Sequence, residues 1–342
     1  MQSKILRIGK GMINEVGNAL AEEAISGKIL YVSDPVIDAL YGGTVRKQIS
    51  EIGTVRVEYI SANTISYAMT FAERIIATDI QCIVGMGGGK VLDVCKYASY
   101  ISKTPFLSLP TTAANDGLSS PIAVLKRQDN KPKSLQCSVA SMVLIDTNII
   151  INGPQDLIKA GIGDTISNYT ALMDWDLAYE RKKESMNGYA HLMSNNALDI
   201  LLKAHYNAIC PEFVELLVNS LVLSGIAMDF AGSSRPVSGS EHLFSHALDY
   251  YSSSQNLHGL QTALGTVSVL RLMEKDTNEI VDYLHKFEVN VNPKHLNIDE
   301  DSFVLCFQNA TKMRENRYTY LNEIDLNTQK LKSVYKWLVR NL

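Results

Sequence analysis

A change of rhythm along the chain restricts the fold more than any other feature. Up to Asn152-Gly153-Pro154, short β-rich runs alternate with helical ones, and beyond that point the β signal almost vanishes. The runs 28–33 and 80–84 read as buried strands, and 55–60 and 106–109 as further strands. Between them, 36–52 reads as a helix interrupted by Gly42-Gly43, and 65–78 as a helix with Ile65, Met69, Ala72, Ile75 and Ile76 on one face. Strands alternating with helices of this length build βαβ units, hence a parallel sheet covered on both faces. The runs 122–125 and 138–145 flank a polar turn, 127–133, and read as a hairpin or a pair of edge strands. Helical periodicity then covers 155–178, 189–205, 211–231, 241–250, 261–275 and 277–287. The expected architecture is an α/β domain over 1–152 and an all-α domain over 153–342.

Length supports two cores, because 342 residues exceed what one ordinary domain buries. With 32 basic against 36 acidic residues and no long basic run, the chain lacks the electrostatic footprint of a nucleic-acid binder. Its five cysteines are scattered without a C-x-x-C, which suits a reducing compartment and argues against a disulfide framework or a zinc ribbon. The opening MQSKILRIGKG has no apolar core of a secretory signal, and the most apolar stretch, 216–228, is broken by Asn219 and short for a bilayer. The expectation is a cytoplasmic protein with no membrane insertion.

Four stretches hold residues suited to chemistry. Gly85-Met86-Gly87-Gly88-Gly89-Lys90 joins a strand to a helix, where glycine would permit positive φ and let a diphosphate approach free N–H groups. Lys90 stands where G-x-G-x-x-G needs its last glycine, so the strict dinucleotide fingerprint is absent, and a plain βα corner is the alternative. Asp34, ending an earlier strand, reads equally as a ribose acceptor or as a turn residue before Pro35. The loop 110–120 is dense in hydroxyl and amide groups and follows a strand's carboxyl end, where open α/β sheets bind ligands. Asp164, bracketed by glycines at an expected helix start, reads alone as an N-cap. His242 and His246 fall one turn apart on one helix face, and His258 follows a polar link. Together Asp164, His242 and His258 form an Asp-His-His set from three elements, which leaves a coordination place open as catalytic metal sites require.

The joint pattern G-x-G-G-G-K-x-x-D, P-T-x-x-x-x-D-G-x-x-S, G-x-G-D, S-R-P-x-S-G-x-E-H-x-x-x-H and H-G-x-x-x-x-x-G resembles the glycerol-1-phosphate dehydrogenases. These sit in the superfamily of metal-dependent glycerol dehydrogenases, iron-containing alcohol dehydrogenases and dehydroquinate synthases. The resemblance implies a dehydroquinate-synthase-like fold, with a Rossmann-like dinucleotide-binding domain, a helical metal- and substrate-binding domain, and an active site between them. It implies metal ligation by Asp164, His242 and His258. It assigns NAD or NADP to Gly87, Gly88, Gly89, Lys90, Asp93, Thr111, Thr112, Ala114 and Ser120, with Asp34 as the ribose candidate, and substrate contacts to Asp116, His246 and Asp164. The metal expected is zinc, with nickel or iron as alternatives. It would serve as a Lewis acid, and the nicotinamide as hydride carrier, in the interconversion of glycerol 1-phosphate and dihydroxyacetone phosphate. Ala114-Asn115 departs from the family's more usual Ser-His at that place. Lys131, Lys133 and Arg235 are the phosphate candidates. A homo-oligomer is expected. The rival readings are a polyol dehydrogenase acting on unphosphorylated glycerol, a dehydroquinate-synthase-like carbocycle-forming lyase, and a non-catalytic metal- and nucleotide-binding regulator.

Overall fold

The structure, a computed structural model, describes residues 3–342. Contacts divide the chain into two compact units. One runs through Ala113 and resumes over Gly117–Pro154; the other joins Ala114–Asp116 to Gln155–Leu342.

The first unit is built on a six-stranded sheet. Its strands are β1 (Ile5–Gly9), β2 (Gly27–Ser33), β3 (Gly53–Tyr59), β4 (Ile80–Gly87), β5 (Phe106–Pro110) and β8 (Met142–Asp146), in the order β1-β8-β5-β4-β2-β3. Every pairing in it is parallel. Ile29, Tyr31, Val84, Met86, Leu107, Leu109 and Leu144 pack together in its core. The hairpin pairs β6 (Ile122–Lys126) with β7 (Pro132–Gln136), not with the run 138–145. That run instead supplies β8, seated between β1 and β5. All five β8 side chains are buried, as an interior parallel strand requires, whereas β6 alternates between buried and outward positions. Gly42-Gly43 does not break the helix either: Pro35–Ile37 runs through a π turn, Asp38–Gly42, directly into Gly43–Ile52.

The second unit is all-helical. Its Pro211–Ala231 helix is long and apolar enough to cross a membrane, but 61% of its apolar window is buried inside the protein, where it packs on Gly188–Leu202. The expected helix 155–178 is two helices, Gln155–Ile166 and Asn168–Glu180, meeting at Ser167. Glu300–Asn309 and Thr328–Asn341 complete the unit and had no counterpart in the sequence reading.

Candidate functional site

Two helix crossings assemble a histidine cluster in the helical unit. Gln155–Ile166 and His258–Leu272 approach so closely that a Cβ on Gly259 would lie 1.8 Å from the Ala160 carbonyl oxygen. This contact places Asp164, in the last turn of one helix, beside His258, the first residue of the other. Asp164 is therefore a buried interior residue and not the N-cap of a helix start. The second crossing sets Gly265 against Glu241, where a Cβ would meet the Glu241 carbonyl oxygen at 2.8 Å. It brings the Ser240–Tyr251 helix, with His242 and His246, over His258.

Ligand atoms of Asp164, His242 and His258 all lie within 4.8 Å of one another. His258 Nε2 stands 3.8 Å from Asp164 Oδ1, while Asp164 Oδ2 accepts the Asp116 N–H at 3.0 Å. The ring of His242 is 4.9 Å from that of His258, and the His246 ring is 6.2 Å from both. His242 and His258 each have Nδ1 engaged: His242 with Glu241 Oε1 at 2.8 Å, His258 with Ser245 Oγ at 3.1 Å. Both therefore have Nε2 left for a ligand. Burial pushes His242 and His258 down to about 3 and His246 well below its usual value, so all three rings are neutral near pH 7. Burial raises Asp164 well above the carboxylate range, with Asp116 and Glu241 adding to the effect. Neutral imidazoles and a buried carboxylate among other carboxylates form a donor set that a divalent cation would relieve. The residues fit such an ion.

A second buried carboxylate organises the approach to this cluster. Asp174 accepts the N–H groups of Ser240 (2.5 Å) and Tyr320 (2.6 Å), so it ties the start of the His242 helix to the 314–320 segment. Burial, then Glu241, pushes its carboxyl up to about 7. Arg235, a phosphate candidate from the sequence, is engaged in the same framework. It is 1% exposed, donates from Nη2 to the carbonyl oxygens of Asp174 (3.0 Å) and Tyr318 (2.5 Å), and its Nε is 3.0 Å from Glu184. These contacts tie Nη2 to the fold, while Nη1 is buried without a hydrogen-bond partner. The cations that bear on the histidines are Arg314 and Arg317, which lower the His242 and His246 values. Arg314 donates to Ser234 Oγ (2.9 Å) and Arg317 to the Ser238 carbonyl oxygen (2.5 Å), both neutral acceptors. Burial lowers the values of both guanidiniums. Sequence reading passed over these two arginines, although their R-x-x-R spacing was available as a signal. Lys131 and Lys133 belong to the β6–β7 hairpin of the α/β unit, with Lys133 exposed.

In the α/β unit the glycine turn departs from expectation. None of Gly85, Gly87, Gly88 and Gly89 has positive φ; β4 runs through Gly87. Gly85 and Gly87 instead allow close packing, since a Cβ would press on Phe106 and Val91 respectively at 2.9 Å. Gly88 is different: a Cβ there would meet nothing nearer than Thr112 at 3.8 Å, and one on Gly89 nothing within 4 Å. The Gly89–Ser102 helix starts there without a side-chain cap, and while Val91 and Leu92 N–H donate to the Gly88 carbonyl, those of Gly89 and Lys90 are left for an anion. Lys90 Nζ donates to the Ser61 carbonyl oxygen, and Thr111 Oγ1 is buried without a partner. Asp93 and Lys96 face inwards 3.8 Å apart; burial pushes Asp93 up to about 6, and Lys96 Nζ pins the Gly117 and Ile122 carbonyls on either side of buried Ser120. Asp34 Oδ1 caps the next helix through Val36 and Ile37 N–H, the turn role foreseen as its alternative. Ala114 and Asp116 belong with the helical unit, not with the sheet.

The profile of the iron-containing alcohol dehydrogenase family matches residues 7–154. The chain is 34% identical to a glycerol-1-phosphate dehydrogenase [NAD(P)+] of Aeropyrum pernix, over 94% of this chain and 92% of that one. It is 36% identical to one from Methanococcoides burtonii, over 92% and 88%. Among solved structures, a probable glycerol dehydrogenase from Sinorhizobium meliloti superposes with a TM-score of 0.79 at 18% identity, over 99% of this chain and 97% of that one.

Proposed function

This chain belongs to the glycerol-1-phosphate dehydrogenase family, and on that premise we propose that it interconverts glycerol 1-phosphate and dihydroxyacetone phosphate with NAD or NADP. One observation supports this most: two guanidiniums with neutral partners, Arg314 and Arg317, bear electrostatically on the histidines of the Asp164, His242 and His258 set. The ligand set suits a divalent ion, with zinc proposed and nickel or iron as alternatives. When bound, that ion supplies Lewis acidity towards an alcohol or carbonyl oxygen, and the nicotinamide carries hydride.

The protein's own residues do the rest. Asp164 and the two histidines fix the reacting end of the substrate, with Asp116 holding a hydroxyl beside them. Neutral His246 would take or return the hydroxyl proton. Arg314 and Arg317 would bind the phosphate dianion, a task for which a neutral polyol offers nothing. The Gly87–Gly89 turn, Lys90, Thr111, Thr112, Ala114 and Ser120 are proposed for the dinucleotide, with Asp93 shaping the loop that carries Ser120. Five free thiols suit a reducing compartment, and a cytoplasmic setting is proposed on that ground.

The test is kcat/KM for dihydroxyacetone phosphate against dihydroxyacetone, followed through NAD(P)H consumption. Two charge-assisted contacts at roughly 1.5–3 kcal/mol each predict a preference on the order of a hundredfold or more for the phosphorylated ketone. Equal values would transfer the chain's activity to unphosphorylated polyols.

A further inference from the structure

We propose that Ser245, Gln261 and Asp249 form a directed hydrogen-bond relay that sets the tautomer of His258 and so presents its Nε2 to the metal. The proposal rests on the assignment of His258 to the metal set.

The direction follows from the far end. Gln261 Nε2 lies 3.1 Å from Asp249 Oδ1, and a carboxylate only accepts, so the amide nitrogen of Gln261 faces it. The amide oxygen then faces Ser245 Oγ at 2.6 Å and can only accept, so the Ser245 hydroxyl spends its one proton there. Towards His258 Nδ1, 3.1 Å away, the hydroxyl has lone pairs alone to offer. Nδ1 must therefore carry the ring proton, and Nε2, 3.8 Å from Asp164 Oδ1, has its lone pair free. Ser245 and Gln261 are buried, so water does not compete for the central bond of the relay. His242 reaches the same state by a shorter route, directly through Glu241. Partners of this kind fix a ligand ring's tautomer and orientation, and their loss typically costs 10–100-fold in metal affinity. Ser245, Gln261 and Asp249 are thus positioning residues.

The experiment uses metal-free full-length protein labelled with 15N-histidine, and long-range 1H–15N spectra to read the protonated ring nitrogen of His258, assigned by comparison with His258→Gln. Zinc affinity is measured in parallel by chelator competition. The wild type should show Nδ1–H. In Gln261→Leu the Ser245 hydroxyl is released from its acceptor and can donate to Nδ1, so the ring should shift towards Nε2–H. Zinc Kd should rise about 10–100-fold in Gln261→Leu and in Ser245→Ala. Ser245→Thr, which keeps the hydroxyl while adding a methyl group, should stay closer to wild type than Ser245→Ala does. A role in packing alone would reverse that last order and leave the tautomer unmoved. Nε2–H in the wild type, or an unchanged tautomer in Gln261→Leu, overturns the relay. Because the tautomer is read without metal, it decides the relay even if wild-type protein binds no zinc, a result that would sink the metal assignment instead.

Discussion

Gly163 and Gly259 meet backbone to backbone, so closely that a Cβ on Gly163 would stand 2.2 Å from the Gly259 carbonyl oxygen. Each glycine is the immediate neighbour of a proposed ligand, Asp164 and His258. The close crossing of the two helices is therefore what brings a carboxylate and an imidazole together. Gly259→Ala forces a methyl group onto backbone, which cannot move aside as a side chain can. A loss of about 3 kcal/mol or more is expected, the upper end of overpacking costs, with bound metal lost in parallel. Thermal unfolding and metal analysis of the variant check this; wild-type stability with full metal content would contradict it.

Gly88 presents the opposite case. A side chain there has space within the protein and an ordinary backbone conformation, so nothing in the fold demands glycine. Gly88→Val should leave Tm within a few degrees while filling the space proposed for the diphosphate. NAD(P)H fluorescence titration should show Kd raised by about tenfold or more, roughly 1.4 kcal/mol. Unchanged affinity would mean that the diphosphate lies elsewhere.

Removing one guanidinium should discriminate between substrates. Arg317→Ala is expected to lower kcat/KM for dihydroxyacetone phosphate by roughly 10–100-fold, the equivalent of one charge-assisted bond, and to change that for dihydroxyacetone much less. Equal losses on both substrates would assign Arg317 to holding the Ser238 carbonyl and nothing more.

The α/β rhythm and the spacing of His242 and His246 were legible because they are local: period and i,i+4 geometry are written in adjacent residues. What escaped was non-local. Strand β8 looked like a hairpin partner because only sheet pairing shows that Met142–Asp146 lies between two other strands. Asp164 looked like a cap because the glycines around it serve a crossing with a helix ninety-odd residues away, not a helix start. The burial of Arg235 escaped as well, because sequence does not show that the carbonyls of Asp174 and Tyr318 hold its Nη2. The final helix was readable, with Leu331, Val334, Tyr335 and Leu338 at i, i+3, i+4 and i+7 beneath a charged face.

Asp174 gives a pH signature. Its folded value is raised to about 7 from an unfolded value of about 3.9, so between these the native state binds more protons than the unfolded state. Stability contributed by this group is thus full below about pH 4 and lost as pH rises through about 7. For metal-free protein, denaturant unfolding from pH 4 to 8 should show wild type losing ground to Asp174→Asn as pH rises. Parallel curves for the two proteins would mean that Asp174 ionises as freely in the fold as outside it.

The most direct test of the whole account is the metal content of His258→Ala beside wild type, measured by inductively coupled plasma mass spectrometry after purification in the presence of zinc. Wild type should hold about one divalent ion per chain, as a single three-ligand site requires. The variant should hold almost none and should not oxidise NAD(P)H with dihydroxyacetone phosphate, while its circular dichroism stays that of wild type. A variant that keeps its metal and its turnover would contradict the site at Asp164, His242 and His258.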